Sequence, residues 1–386
     1  MIASMTTNAS TIENDIPAPP AVAEFTAGTG DALTCFADYR AWTARLRADL
    51  DAAHDEIVME MYIFEPEGEG GEIAAALMRA AARGVRVRAM IDSLGCRHVP
   101  PSFFAMLREA GIAVREFNPV HWWSFLLSPG KPLRRRNHRK LIVVDNRVGH
   151  LGGMNLGGRF DEWRDLALRI EGPFAEVLRR SHERVWTGRY RKFLPRRRRE
   201  RPAPQIKLFD NFFTDHFSPI KRFYLAAFKR ARQRIWLAHG YFFPDKRLRR
   251  ELRRAARRGV EVRAIVPASS DIAAVDKAAR HIYGDLLRCG VRLYLLPAML
   301  HAKAALVDDD WLTLGSANLD PISLFSCLEI NVGLRHAPLA AHLAAQFESY
   351  RREANEYTYL DWKHRSWWEK LTNRLWYALR RWYAEW

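Results

Sequence analysis

The sequence predicts an α/β protein of two similar lobes. Each lobe is a mainly parallel or mixed sheet flanked by helices, and a pseudo-two-fold axis relates them. Three observations predict this. At 386 residues with a hydrophobic fraction of 48%, the chain can fill two cores of ordinary size. It carries an internal repeat that spans most of its length. Each copy of the repeat alternates strand and helix, the pattern of βαβ units whose helices cover a sheet.

The first copy opens with EIVMEMYIFEP (56–66), a strand and loop, then EIAAALMRAAARGVRVRAMID (72–92), an amphipathic helix and a strand. The second copy has RIWLAHGYFFPD (234–245) and RRELRRAARRGVEVRAIVP (249–267). In both, an Arg-Gly-Val junction ends the helix: glycine suits the left-handed C-terminal position, and β-branched residues follow into a strand. A further helix and strand come next, FFAMLREAGIAVREF (103–117) and IYGDLLRCGVRLYLL (282–296). The expected division is a disordered, polar Pro/Ala-rich arm over 1–30, a first lobe over 31–194 and a second lobe over 206–360. The Pro/Arg-rich linker PRRRRERPAPQ (195–205) joins the lobes, and a Trp-rich amphipathic helix covers 361–386.

The net charge of +17 calls for a polyanionic partner, nucleic acid or an anionic membrane, and composition does not choose between them. The four cysteines are scattered without CxxC or zinc-type spacing, which suits buried thiols in a reducing compartment. No carboxylate cluster or HExxH pattern is present, so neither a metal nor another cofactor is expected. No apolar run reaches the roughly 18 residues that a spanning helix needs. The N-terminal stretch lacks the basic and apolar regions of a secretory signal.

The chemistry lies in two matched stretches, HRKLIVVD (138–145) and HAKAALVD (301–308). Each is followed at the same distance by a turn ending in asparagine, Gly152-Gly153-Met154-Asn155 and Gly315-Ser316-Ala317-Asn318. In an extended segment side chains two apart share a face, so His138 points with Lys140 and His301 with Lys303. A histidine beside a lysine, given twice in register, suits a phosphodiester: one group attacks, one handles the leaving proton, and cations hold the phosphoryl oxygens.

These two HxKxxxxD motifs, with GGMN and GSAN behind them, resemble the signature of the phospholipase D superfamily over roughly residues 35–360. Within it the sequence is most similar to bacterial phospholipase D-type cardiolipin synthases. MYIFEP (61–66), GYFFPD (240–245) and GSANLDPISLFSCLEIN (315–331) support that likeness. Ile322 stands where that family commonly has arginine. The resemblance implies that one histidine becomes a phosphohistidine while the other serves as acid and base. By the family's habit the nucleophile is His138 and the acid/base is His301, although sequence symmetry alone does not separate them. Lys140, Lys303, Asn155 and Asn318 would bind phosphoryl oxygens. Asp145 and Asp308 complete the motifs, in a role more structural than catalytic. A carboxylate is expected to steady each imidazole, with Asp165 and Glu329 at downstream positions that match to within one residue.

Two segments favour a membrane over nucleic acid. The stretch before the first motif, NPVHWWSFLLSPGKPLRRRNHRK (118–140), sets Trp122, Trp123 and Phe125 ahead of Arg134, Arg135 and Arg136, a candidate membrane-entry loop. The C-terminal residues 362–386 hold six of the thirteen tryptophans. Leu371, Leu375, Leu379, Trp382 and Trp386 fall on one helical stripe, with Lys370, Arg374, Arg380 and Arg381 among the more polar positions. That helix either lies on a membrane or docks on the body. The expected function is therefore a phosphatidyltransferase, moving a phosphatidyl group from phosphatidylglycerol to a second lipid alcohol at the cytoplasmic face of the cell membrane. The alternatives are a phospholipase D hydrolase, a nuclease, or an idle binder of anionic surfaces.

Overall fold

The computed structural model describes residues 19–120, 135–192, 205–213 and 218–385. The first lobe carries β1 (Val22–Thr26), β2 (Ala32–Phe36), β3 (Glu56–Met61), β4 (Arg86–Asp92), β5 (Ala113–Phe117), β6 (Arg136–Asn137), β7 (Leu141–Val144), β8 (Val148–Gly152) and β9 (Ala167–Glu171). The second carries β10 (Ile206–Asn211), β11 (Arg234–His239), β12 (Glu261–Pro267), β13 (Arg292–Leu296), β14 (Lys303–Val307), β15 (Trp311–Gly315), β16 (Cys327–Arg335) and β17 (Asn355–Tyr357). The first sheet runs β1-β2-β9-β8-β7-β3-β4-β5 and the second β10-β16-β15-β14-β11-β12-β13-β17. Without the edge strands β1 and β17, the two orders are the same.

Both sheets are mixed. The three βαβ-linked strands are parallel in each lobe, β3-β4-β5 and β11-β12-β13, and the strands carrying the motifs add on antiparallel. The motif strands read as unbroken apolar runs because every residue of β7 and β14 is buried, with both sheet faces covered. The helix Lys246–Arg257 shows how the outer layer is made: Leu248, Leu252 and Ala255 turn inward, while most of its arginines face water. Gly84 and Gly259, at φ 90° and 86°, end the equivalent helices as the repeated Arg-Gly-Val junction predicts.

One apolar cluster belongs to both lobes. Leu141, Val143, Leu151 and Leu168 of the first pack in it with Leu306, Leu314, Ile330 and Val332 of the second. The lobes therefore share a core as well as a linker, and that core fixes the distance between the two motifs.

The arm expected over 1–30 is not wholly free. Val22–Thr26 pairs antiparallel with β2, and Phe25 lodges against the rings of His336 and His342 at 5.7 and 5.8 Å. An alternating VAEFT with one anchoring aromatic is enough for an edge strand once a slot exists to receive it. Residues 1–18 and all but Gln205 of the expected linker lie outside the described residues. Cys35, Cys96 and Cys327 are buried free thiols, and Cys289 is half-buried.

Candidate active site

The site forms where each lobe lends a short strand to the other. β6 runs parallel to the start of β16, pairing Arg136 with Cys327 and Asn137 with Leu328. The next backbone amide, that of His138, donates to Leu328 O at 3.0 Å. The pseudo-symmetric contact joins Arg164 to Leu300. There Arg164 N donates to Met299 O at 2.8 Å, and His301 N donates to Arg164 O at 2.8 Å. Each histidine is thus pinned beside the strand that carries the other lobe's carboxylate.

The result is a crossed arrangement. His138 Nδ1 lies 3.0 and 3.1 Å from the Glu329 carboxylate oxygens. His301 Nδ1 lies 2.6 Å from Asp165 Oδ2. The sequence placed both carboxylates but did not say which histidine each would serve. With Nδ1 engaged, Nε2 is left for chemistry on both rings.

Both imidazoles are nearly buried, and two lysines accompany them. Lys140 Nζ donates to His138 O at 2.9 Å, and Lys303 Nζ donates to His301 O. Burial, then Lys140 and Lys303 together, push His138 well below its ordinary range. Burial and Lys303 bring His301 down to about 4, although Asp165 opposes them. Burial and the neighbouring Lys303 lower Lys140 to about 7, and burial lowers Lys303 to about 8. Each motif therefore feels the other's cation, as one shared site requires.

The carboxylates differ. Burial pushes Glu329 up to about 8, against the pull of Lys140, while Ser316 Oγ donates to it at 2.5 Å. Burial also acts to raise Asp165, but His301 and Lys303 outweigh it and hold the group below its ordinary value. The backbone amide of Leu166 donates to Asp165 Oδ1 at 2.7 Å. Where the second lobe has Ser316, the first has Gly153, and a Cβ there would meet Asp165 Oδ1 at 2.1 Å. Glycine is what lets the shorter carboxylate come so close to its own turn.

The asparagines are buried at the site's edge. Asn318 Oδ1 accepts from Tyr241 N at 3.2 Å, while Asn155 Oδ1 has no hydrogen-bond partner. Asp145 and Asp308, which complete the two motifs, stand apart from this constellation and bond to backbone instead. Asp145 accepts from the backbone amides of His54, Asp55 and Glu56 at 2.8–2.9 Å. Asp308 does the same for Arg232, Gln233 and Arg234 at 2.8–3.2 Å. Each ties the turn after its own motif strand to the start of the neighbouring strand.

Arg136 is corrected as a membrane contact. It is only 2% exposed, 3.4 Å from Asp92, and donates to Asn118 O at 2.6 Å. Pairing of β6 with β16 turns it inward, away from any membrane. Arg135 is exposed, and its backbone amide holds Ser326 O at 2.8 Å. Trp122, Trp123, Phe125 and Arg134 lie outside the described residues.

Two aromatic rings beside the histidines were not among the expected site residues. The Tyr62 ring meets His138 edge-on at 4.8 Å and lies 5.1 Å from Lys140 Nζ. Trp163 packs on His301 at 5.0 Å. Trp163 stands two residues before Asp165, and Tyr62 lies within MYIFEP (61–66), but the motifs give neither a role at the site. Among the described residues, no group of three or more His, Cys, Asp or Glu is placed to hold a metal ion.

Paired His-x-Lys motifs in two sheet-and-helix lobes, meeting in one buried site, define a phosphodiester-transfer enzyme of the phospholipase D superfamily. More narrowly, the chain belongs to the family described as "Cardiolipin synthase, PLD-like domain", matched over residues 46–186 and 224–351, and is a phosphatidyltransferase. It is 35% identical over 299 residues to cardiolipin synthase B of Salmonella typhi, covering 72% of this chain and 70% of that one. Against the major cardiolipin synthase of Bacillus subtilis (strain 168) it is 30% identical over 344 residues, covering 85% and 70%. The phosphatidylserine synthase of Haemophilus influenzae Rd KW20 has the same fold, with a TM-score of 0.72 at 12% identity over 93% of this chain and 94% of that one.

Proposed function

We propose that the chain makes cardiolipin from phosphatidylglycerol in two displacements through a phosphohistidine on His138. Nε2 of His138 attacks phosphorus, the bond from phosphorus to the glycerol oxygen breaks, and His301 gives that oxygen a proton. A second lipid alcohol, phosphatidylglycerol itself, then loses its hydroxyl proton to His301. Its oxygen attacks phosphorus, and the phosphorus–nitrogen bond breaks. Lys140 and Lys303, with Asn155 and Asn318, hold the non-bridging oxygens.

The crossed histidine–carboxylate pairs carry this reading. In the empty site His301 is mostly neutral, near 4, but Asp165, held ionised, favours its imidazolium, and the negative charge of a bound phosphodiester favours it further, so His301 is the ring that carries the proton. A nucleophile needs a free lone pair, and the environment of His138 keeps its imidazole neutral. A net charge of +17 supports a peripheral place on an anionic membrane, at the cytoplasmic face of the cell membrane. Among the described residues no helix is long and apolar enough to cross one.

The test is incubation with detergent-dispersed phosphatidylglycerol, with the lipids resolved by mass spectrometry. Cardiolipin and glycerol in equal amounts are expected. Phosphatidic acid as the sole lipid product would replace the transferase with a hydrolase.

A further inference from the structure

The helix Trp367–Glu385 is amphipathic in the wrong sense for a protein in water. Its docked side is polar. Asn373 is 1% exposed, and Tyr377 lies against the rings of His281 and Phe243 at 4.5 and 5.9 Å. Glu369 faces Arg280 at 3.9 Å. The opposite side is apolar and uncovered: Trp368, Leu371, Leu375 and Leu379 are 60%, 50%, 56% and 47% exposed. Trp367 and Trp376 flank that stripe at 64% and 38%. Of the eleven large hydrophobic side chains exposed among the described residues, six belong to this one helix. A water-facing helix would invert this choice.

We propose that this outward stripe is the protein's docking surface for an anionic phospholipid bilayer. The proposal rests on the lipid substrate assigned above and adds the element that brings the site to it. The composition fits headgroup depth, where tryptophan rings favour the interface and leucines reach the acyl boundary. Lys363, Lys370 and Arg374 are exposed on the same segment and complement lipid phosphates.

The helix is also fixed relative to the active site. It lies on the helix Ala273–Leu287 and, through Tyr377, on Phe243. Phe243 stands two residues after Tyr241, whose backbone amide holds Asn318 and whose hydroxyl bonds Asp271. Exposed Ile272 follows Asp271 and precedes the helix that carries the stripe's support. Docking the polar face on the second lobe turns the helix into a rigid plate that holds the site at the bilayer.

The experiment compares the full chain with the triple variant Leu371→Glu/Leu375→Glu/Leu379→Glu, and with a milder Leu371→Ser/Leu375→Ser. Thermal unfolding checks that both fold as the wild type does. Co-sedimentation with phosphatidylglycerol vesicles is expected to weaken by at least about tenfold in the Glu variant and less in the Ser variant. Turnover of detergent-dispersed phosphatidylglycerol should stay within about twofold of wild type in both, because the stripe lies outside the reacting groups. Unchanged vesicle binding in a folded Glu variant overturns the proposal. So does a wild-type dimer that the variant converts to monomer while vesicle binding stays the same, which would give the stripe to a second copy. Stripe-dependent vesicle binding by a wild type that turns over no lipid would support the docking surface and refute the proposed reaction instead.

Discussion

The two half-sites are alike in motif and unlike in surroundings. Around His301 the support is compact: an ionised aspartate, a glycine turn beside it, and a tryptophan from the other lobe. Around His138 it is looser and more polar: a glutamate pushed up by burial, a serine bonded to that glutamate, and a tyrosine from its own lobe. The contrast extends outward. Beside the first motif, Arg139 is fully buried with Glu60, Ser181 and Asp210 around it. At the register-equivalent places in the second lobe stand Ala302 and Ala238. A repeated motif supplies two equivalent catalytic groups, and the residues around each decide which one attacks and which one carries the proton.

Removing the groups themselves gives the largest effect. His138→Ala and His301→Ala should each lower cardiolipin formation by at least about a thousandfold. A phosphodiester with a nitrophenyl leaving group separates them, because such a group departs without a proton. On it His301→Ala should recover most of its first-step rate, while His138→Ala stays inactive. Recovery in His138→Ala instead would reverse the assignment of nucleophile and acid.

The carboxylates come next. Asp165→Asn removes a full charge from beside His301 and should cost about a thousandfold or more in kcat. Glu329→Gln changes less, because burial already favours the neutral glutamate, and the amide oxygen can still accept from Ser316. A loss nearer ten- to a hundredfold is the expected order. Double-mutant cycles should couple Glu329 to His138 and Asp165 to His301. Coupling within each repeat rather than across it would contradict the crossed pairing.

Much of this was legible in the sequence because the repeat is in register. The lobes, the parallel trios, the helix-ending glycines and the matched His, Lys and Asn positions follow from local periodicity and spacing, while the carboxylates needed the family resemblance as well. The crossing did not, because it depends on β6 reaching β16 and Arg164 reaching Leu300, contacts between segments more than a hundred residues apart. Arg136 fails as a membrane contact for the same reason: nothing local in three consecutive arginines shows that pairing with the other lobe turns one of them onto Asp92. The terminal helix showed its stripe in sequence, but only the docked Asn373 and Tyr377 reveal which face was left outside.

A further asymmetry is structural. Arg139→Ala would remove the fully buried cation between Glu60 and Asp210, leaving Glu60 with His182 and Asp210 with the more exposed Arg184, so it should destabilise the fold by about 3 kcal/mol or more. Ala302→Ser, at the equivalent place in the apolar half, adds one small hydroxyl and should cost about 1 kcal/mol. Denaturant unfolding of the two variants measures the difference. Equal losses would mean that the charged network contributes no more than its alanine counterpart.

The smallest effect, and the finest probe of the contrast, is in the pH profile. Burial and Lys303 hold Lys140 near 7 in the empty site, so it is cationic below that pH and neutral above it. A phosphodiester anion needs the cation, so kcat/KM, which reports the free enzyme, should fall by about tenfold per unit as pH rises past 7. The fall should steepen near 8, where Lys303 loses its proton as well. Once substrate is bound, its negative charge favours protonated lysine, so the same limb in kcat should lie at higher pH. Lys140→Arg keeps a guanidinium charged throughout this range. It should lower the rate through altered geometry yet delete the limb near 7, leaving only the step near 8. A limb near 7 that persists in Lys140→Arg would belong to another group, with Glu329 the next to examine.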